Sequence, residues 1–165
     1  MSIIDKPWMT DREIAFIASF LNNRDVMLEW GSGGSTVFFS RMVERYYSIE
    51  HDPAWYNAVQ HELTEKNITN VSLFLSTRTR GNTPAEIYGD YIAIAGKMKI
   101  NPSKVLIDGR CRRRCAIAAL DIIDRDTIVF IHDFKREYYH PVLSDYYIVD
   151  IYDKDQQIVA LKRIN

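Results

Sequence analysis

Residues 26–36 read VMLEWGSGGST, a short apolar run interrupted by one acid and closed by a glycine-rich turn. The run 26–30 has the length and apolar character of a buried strand. Gly31 and Gly33 let the backbone turn sharply and leave room for a ligand to approach main-chain atoms, where a side chain would collide. Ser35 then reads as the cap of a helix carrying Phe38, Phe39, Met42 and Val43. Strand, tight turn and helix, in that order, form the repeating unit of a parallel α/β sheet.

The same unit recurs on either side of this stretch. Upstream, Thr10 and Glu13 form a capping box ahead of Ile14, Ile17, Ala18 and Leu21, a helix expected to end near Asn22 and Asn23. Downstream, residues 46–50 read as a second strand. Asp52 and Pro53 are N-cap and first position of a helix with Trp55, Ala58, Val59 and Leu63 on its apolar stripe, and residues 71–76 are a third strand. Thr83, Pro84 and Glu86 announce a helix running through Met98, with Gly89 and Gly96 as its weak points. Residues 104–108 are strand four, 111–123 its helix, and 127–133 strand five. The ending differs, because two strand-like runs, 146–152 and 157–164, are separated only by the polar stretch 153–156 and so read as an antiparallel hairpin. The expected fold is a single α/β domain over residues 1–165: a doubly wound, mostly parallel sheet with helices on both faces and a C-terminal antiparallel hairpin. Such sheets bind ligands beyond the carboxyl ends of their strands, so function is sought at those ends.

Composition narrows the classes. The chain has 165 residues, 47% hydrophobic and 26% charged, enough for one core without disulfides or a structural metal. With 21 Lys+Arg against 22 Asp+Glu, it has no general electrostatic drive toward nucleic acid or an anionic membrane. No stretch approaches the roughly 20 apolar residues of a membrane span, and the N-terminus lacks a basic start followed by an apolar run, so a soluble, cytoplasmic protein is expected. Cys111 and Cys115, one helical turn apart, suit a reducing compartment. They share a stripe with Ala118, Ala119 and Ile122 and read as buried small residues rather than a metal site.

Two acids give the glycine turn its chemistry. Glu29 sits near the end of a strand expected to be buried, where an unpaired charge is expensive and a cationic ligand group would satisfy it. Glu50 ends the next strand about 20 residues on, the position whose carboxylate accepts hydrogen bonds from the hydroxyls of an adenosine ribose. A dinucleotide fingerprint would read GxGxxG and keep the turn favourable for pyrophosphate. Here the last position is Thr36, and Glu29 opposes a phosphate. S-adenosylmethionine has no phosphate and carries an ammonium and a sulfonium. On the residues EWGSGGST, Glu29 to Thr36, with Glu50 and the terminal hairpin, the chain resembles the class I S-adenosylmethionine-dependent methyltransferases over nearly its whole length, with Ser35 in place of the family's third glycine. The resemblance implies a seven-stranded, three-layer α/β/α sheet with S-adenosylmethionine as cofactor. It places the methionine moiety against Glu29, the methionine and ribose along Gly31, Ser32, Gly33, Gly34 and Ser35, and the ribose hydroxyls on Glu50. It also puts His51 beside the adenine and Ser76 and Thr77 at the adenine edge. Trp55 reads as core or as part of this site.

The chemistry is expected at the ends of strands four and five. Asp108, His132 and Asp133 are the ionisable residues those strands deliver to the rim, with helix capping the alternative role of Asp108. Asp108 and Asp133 are similar to the acids of metal-dependent O-methyltransferases, which hold Mg²⁺ or another divalent ion, but Phe134 stands where that family has Asn. Without metal, His132 or Asp133 is the natural general base. Arg110 and Arg112, in a cluster with Arg113 and Arg114, read as a solvated face or as a grip on an anionic acceptor or a rim carboxylate. Tyr88, Tyr91, Tyr138, Tyr139 and His140 are expected to rim an acceptor pocket. The link after strand five is short and no inserted cap is present, which fits a large acceptor such as a glycan, or a lid from a second copy in a homodimer. The leading expectation is methyl transfer to a hydroxyl oxygen of a sugar, glycan or other small molecule. Its competitors are an NAD(P)-binding Rossmann oxidoreductase and a non-catalytic binding module on the same fold.

Overall fold

Seven strands form one sheet in the order β3-β2-β1-β4-β5-β7-β6. They are β1 (Val26–Trp30), β2 (Arg45–Glu50), β3 (Val71–Leu75), β4 (Lys104–Ile107), β5 (Ile128–His132), β6 (Tyr146–Tyr152) and β7 (Ile158–Arg163). The computed structural model describes residues 5–155 and 157–164; Gln156, in the expected hairpin link, lies outside them. β1 to β5 are parallel, and β7 inserts antiparallel between β5 and β6. All the expected strands are present, within one or two residues of their expected ends.

Period-two alternation along the strands builds two cores. Leu28, Trp30, Ile49, Val105, Ile107, Val129 and Ile131 face one side, against α5 (Gly89–Ala93) and α6 (Arg112–Ala119). Met27, Tyr46, Leu106 and Phe130 face the other, against α1 (Asp11–Ala18) and α2 (Gly34–Phe39). α3 (Pro53–Glu65) packs Val59 and Leu63 against Val37. The Thr10–Glu13 capping box and the Asp52 cap with Pro53 behind it both form.

Several helix expectations are corrected: α1 stops at Ala18 rather than near Asn22, α2 at Phe39 with Met42 on a 3₁₀ turn, and α6 at Ala119 rather than Ile123. The N-cap of α2 is Gly33, not Ser35, whose hydroxyl is drawn inward instead. The helix expected through Met98 breaks into α4 (Pro84–Ile87), α5 and a 3₁₀ turn at Ile94–Lys97, with the interruption at Tyr88 beside the poor helix former Gly89. α6 starts late because Cys111 adopts a left-handed conformation, φ 54°, as its N-cap. Cys111 is therefore half-buried off the helix, while Cys115 alone joins the core; both are free thiols. The link from β5 to β6 carries only a 3₁₀ segment, Glu137–Ser144, and Tyr146 anchors the hairpin by donating to Ala116 O at 2.6 Å. No described helix is long and apolar enough to cross a membrane.

Candidate active site

At the carboxyl ends of β1, β2, β4 and β5 lies a cavity of about 790 Å³. Its floor is the turn 31–35, and Gly31 is indispensable to it. With φ +98° it occupies the left-handed region, and a Cβ there would lie 2.5 Å from the backbone of Gly109. Gly109 is equally constrained, since its own Cβ would strike the Tyr91 hydroxyl. The turns after β1 and β4 thus touch main chain to main chain. Gly34 is needed for a different reason: residues 5–9 pass over it, and a Cβ would collide with the Lys6 carbonyl.

The two acids of the sequence argument part ways. Glu50, the last residue of β2, lines the cavity. Its Oε1 accepts from the amides of His51 and Asp52, both at 2.8 Å, and its Oε2 accepts from Ser32 Oγ at 3.1 Å. Glu29, one residue short of the end of β1, does not line the cavity. It points under the turn toward α2, fully buried, and accepts from Ser35 Oγ, from Thr36 Oγ1 at 2.5 Å and from Ser48 Oγ at 2.6 Å. Burial pushes its pKa up to about 7, although the hydroxyls of Ser35, Ser48 and Thr36 work the other way. The expectation that Glu29 faces a ligand cation is corrected: it ties the glycine turn to β2. Its argument against phosphate weakens with it, since the carboxylate does not stand in the cavity lining.

His51 lines the same wall, with Nδ1 2.8 Å from Glu50 Oε1 and its ring edge-on to Tyr88 and Tyr91. Ser32, Gly33, Gly34 and Ser35 line the floor as expected. Ser76 and Thr77 do not reach the cavity. The Ser76 amide donates to Glu50 O at 2.7 Å, continuing the β2–β3 ladder, with Ser76 buried and Thr77 exposed. Trp55 does line the site: its indole donates to Ser32 O at 2.6 Å and its ring packs 5.4 Å from that of Trp8.

On the opposite wall, Asp108, His132 and Asp133 come together around Arg112. The guanidinium lies 3.1 Å from Asp108 Oδ1 and 3.1 Å from Asp133 Oδ2. It also donates to Gly109 O at 3.0 Å and to His132 O at 2.5 Å, and rests 5.8 Å above the Tyr139 ring. Arg136 adds a second contact to Asp133 Oδ2 at 3.0 Å. Asp133 is itself left-handed, φ 60°, a conformation Asp tolerates better than most residues. This arrangement does not fit a divalent ion. The space between the two acids holds a cation of the protein's own, Phe134 is buried where a further oxygen ligand would stand, and no described group of three or more His, Cys, Asp or Glu could hold a metal.

His132 turns inward. Its Nδ1 lies 2.9 Å from Asp108 Oδ1, and its buried Nε2 lies 3.6 Å from Glu13 Oε1, so neither ring nitrogen is presented to the cavity. Burial opposes protonation, but the hydrogen bond and charge of Asp108 and the charge of Asp133 outweigh it and Arg112, and the pKa ends above its ordinary value. Of the expected acceptor residues, Arg110 and Arg112 line the cavity and the tyrosines do not. Tyr139 is buried beneath Arg112, Tyr138 is exposed away from the site, Tyr91 is wholly in the core, and His140 is tied to Phe134 O at 3.0 Å. Residues the sequence reading passed over include Trp8, Gly109 and Arg136. Arg136, three residues beyond Asp133, was findable by its spacing; Trp8 carried no signal, because it arrives on a segment without secondary structure.

No protein-family model and no curated protein matches the chain. Solved structures do. A methyltransferase-like protein from Silicibacter pomeroyi DSS-3 superposes with a TM-score of 0.77 at 23% identity, over 96% of this chain and 90% of that one. An rRNA methylase from Streptococcus thermophilus superposes with a TM-score of 0.68 at 11% identity, over 93% and 95%. A Streptococcus mutans protein described as a methyltransferase, crystallised with SAH, superposes with a TM-score of 0.67 at 13% identity, over 94% and 99%. The dinucleotide-binding sheet runs 3-2-1-4-5-6 and is parallel throughout, whereas here an antiparallel β7 separates β5 from β6. The chain has the fold of the class I S-adenosylmethionine-dependent methyltransferases.

Proposed function

We propose that this protein binds S-adenosylmethionine in the cavity above Gly31 and Gly109 and directs its methyl group to a hydroxyl oxygen of a sugar or other small acceptor. The observation that carries the reading is Glu50: a carboxylate with almost no exposed surface, held by two amides and a serine, that still lines the cavity at the end of β2. Its remaining acceptor site, on Oε2, suits a ribose hydroxyl. The close approach of Gly31 to Gly109 provides a floor without side chains, on which an extended ligand can lie. S-adenosylmethionine supplies a methyl group already activated by its sulfonium. The protein therefore has to align the acceptor and take a proton from it.

Asp108 is the residue placed to do so. Its Oδ1 is held by Arg112 and His132, which fixes the carboxylate plane, and the side chain retains 18% exposure toward the cavity. His132 acts through Asp108 as a positioning residue, and Asp133 does the same through Arg112. The SAH complex of the Streptococcus mutans neighbour supports the cofactor assignment.

Isothermal titration with S-adenosylmethionine, SAH and NAD(P) tests the reading. The first two should bind and the dinucleotides should not. Glu50→Ala should weaken SAH binding by roughly 1–3 kcal/mol through loss of charge-assisted hydrogen bonds to the ribose. Unchanged affinity in the folded variant would sink the assignment.

A further inference from the structure

The two walls of the cavity carry opposite charge. On the β2 side the charged lining groups are Glu50 and Asp52, joined by His51. On the β4–β5 side Arg110, Arg112 and Arg136 face Asp108 and Asp133. Ion pairing accounts for only part of this second wall. Arg112 contacts both acids at 3.1 Å and is 12% exposed; with Arg136 it balances their two charges. Arg136 touches Asp133 with one nitrogen and leaves the rest of its guanidinium in the open, 59% exposed. Arg110 is exposed, and no carboxylate is paired with it among the described residues.

Resting on the methyl-transfer reading, which assigns Glu50 to the cofactor's ribose, we infer that the acceptor is a small molecule carrying an oxyanion, a phosphate monoester or a carboxylate, gripped between Arg110 and Arg136. Guanidinium groups recognise both oxyanions through paired N–H donors, and two of them flanking one cavity wall with donors to spare make a site for such a group. The acids on that wall are offset by Arg112 and Arg136, and the wall keeps one positive charge in excess through Arg110. The acidic β2 wall disfavours the reverse placement, so the charge asymmetry orients the acceptor as well as selecting it.

The test uses three probes on one ring that differ only in head group: phenyl phosphate, benzoate and phenol. They are titrated into the full-length protein, free and saturated with SAH. The anions should bind at least tenfold more tightly than phenol. Arg110→Gln and Arg136→Gln should each weaken the better anion by about tenfold while SAH affinity stays within twofold. Phenyl phosphate ahead of benzoate marks a phosphate monoester, and the reverse order marks a carboxylate; either supports the inference. Phenol binding as well as the anions, no binding by either anion, or anion binding indifferent to both substitutions overturns it. A short RNA oligonucleotide bound more tightly than phenyl phosphate, with the same arginine dependence, overturns the small-molecule assignment. Failure of SAH to bind overturns the cofactor reading instead, and the titrations of the free protein still decide this one.

Discussion

The β1–β2 side of the cavity and the β4–β5 side solve the same problem, buried carboxylates at strand ends, by different means. On the first, Glu29 and Glu50 are satisfied by neutral donors, three hydroxyls for one and two amides with a hydroxyl for the other. On the second, Asp108 and Asp133 are satisfied by the charged Arg112, with Arg136 and His132 in support. Neutral donors leave the net charge of the first side negative, whereas ion pairing turns the second side slightly positive. The difference gives the two walls of one cavity opposite charge.

The largest effect should come from the point where the halves meet. Gly31→Ala adds left-handed strain and a main-chain collision with Gly109, and at least about 3 kcal/mol of unfolding free energy should be lost, as read by urea denaturation. A variant as stable as the parent would show that the two turns are not wedged together. Next comes Arg112→Gln, which among the described residues leaves Asp108 with only His132 and Asp133 with only the exposed Arg136. Because those groups are not wholly sealed from water, the cost should be about 2–4 kcal/mol. Arg112→Lys should recover only part of it, since an ammonium cannot fork between two acids and two carbonyls. Equal stability of the lysine variant and the parent would mean that charge alone holds this side.

Glu29 probes the neutral side through pH. Its folded pKa of about 7 lies above the ordinary value of 4.5, so between those pH values the folded chain holds a proton that the unfolded chain releases. Stability should therefore fall as pH rises through that window, by on the order of 3 kcal/mol, and level off above it. Glu29→Gln should flatten this contribution in denaturation curves taken at pH 5 and pH 7.5. An identical pH dependence in both proteins would refute the assignment of that proton. The smallest effect belongs to Ser32→Ala, which removes one hydroxyl from Glu50 and should cost about 1 kcal/mol of SAH affinity by calorimetry.

Much of the site was legible because strand ends are legible. Glu50, Asp108 and Asp133 all stand at the carboxyl ends of their strands or one residue beyond, and all reach the cavity. Glu29 is the instructive exception. It lies one residue before the end of β1, and a one-residue offset in a period-two element turns a side chain to the other face. The parallel register then sets it opposite Ser48, and α2 drops Ser35 and Thr36 onto it. Ser76 and Thr77 are outside the cavity lining: β3 ends at Leu75, and the Ser76 amide only continues the ladder to Glu50 O. The tyrosines failed because aromatic composition does not distinguish a core face from a pocket wall. Tyr91 and Tyr139 are large enough to fill the space under Gly109 and Arg112, and they do.

The sequence by itself determined the alternation of strand and helix, the terminal hairpin, the need for glycine at position 31 and the set of acids at the strand ends. These follow from local rules: the period of apolar residues, caps, and the conformational freedom of a residue without a Cβ. Only the tertiary structure decided which acid faces the cavity, that Arg112 stands where a metal was expected, that His132 turns inward toward Glu13, and that Trp8 closes over Trp55. Those outcomes depend on distances between segments far apart in the chain, set by the register and packing of the whole sheet, and no local pattern encodes them.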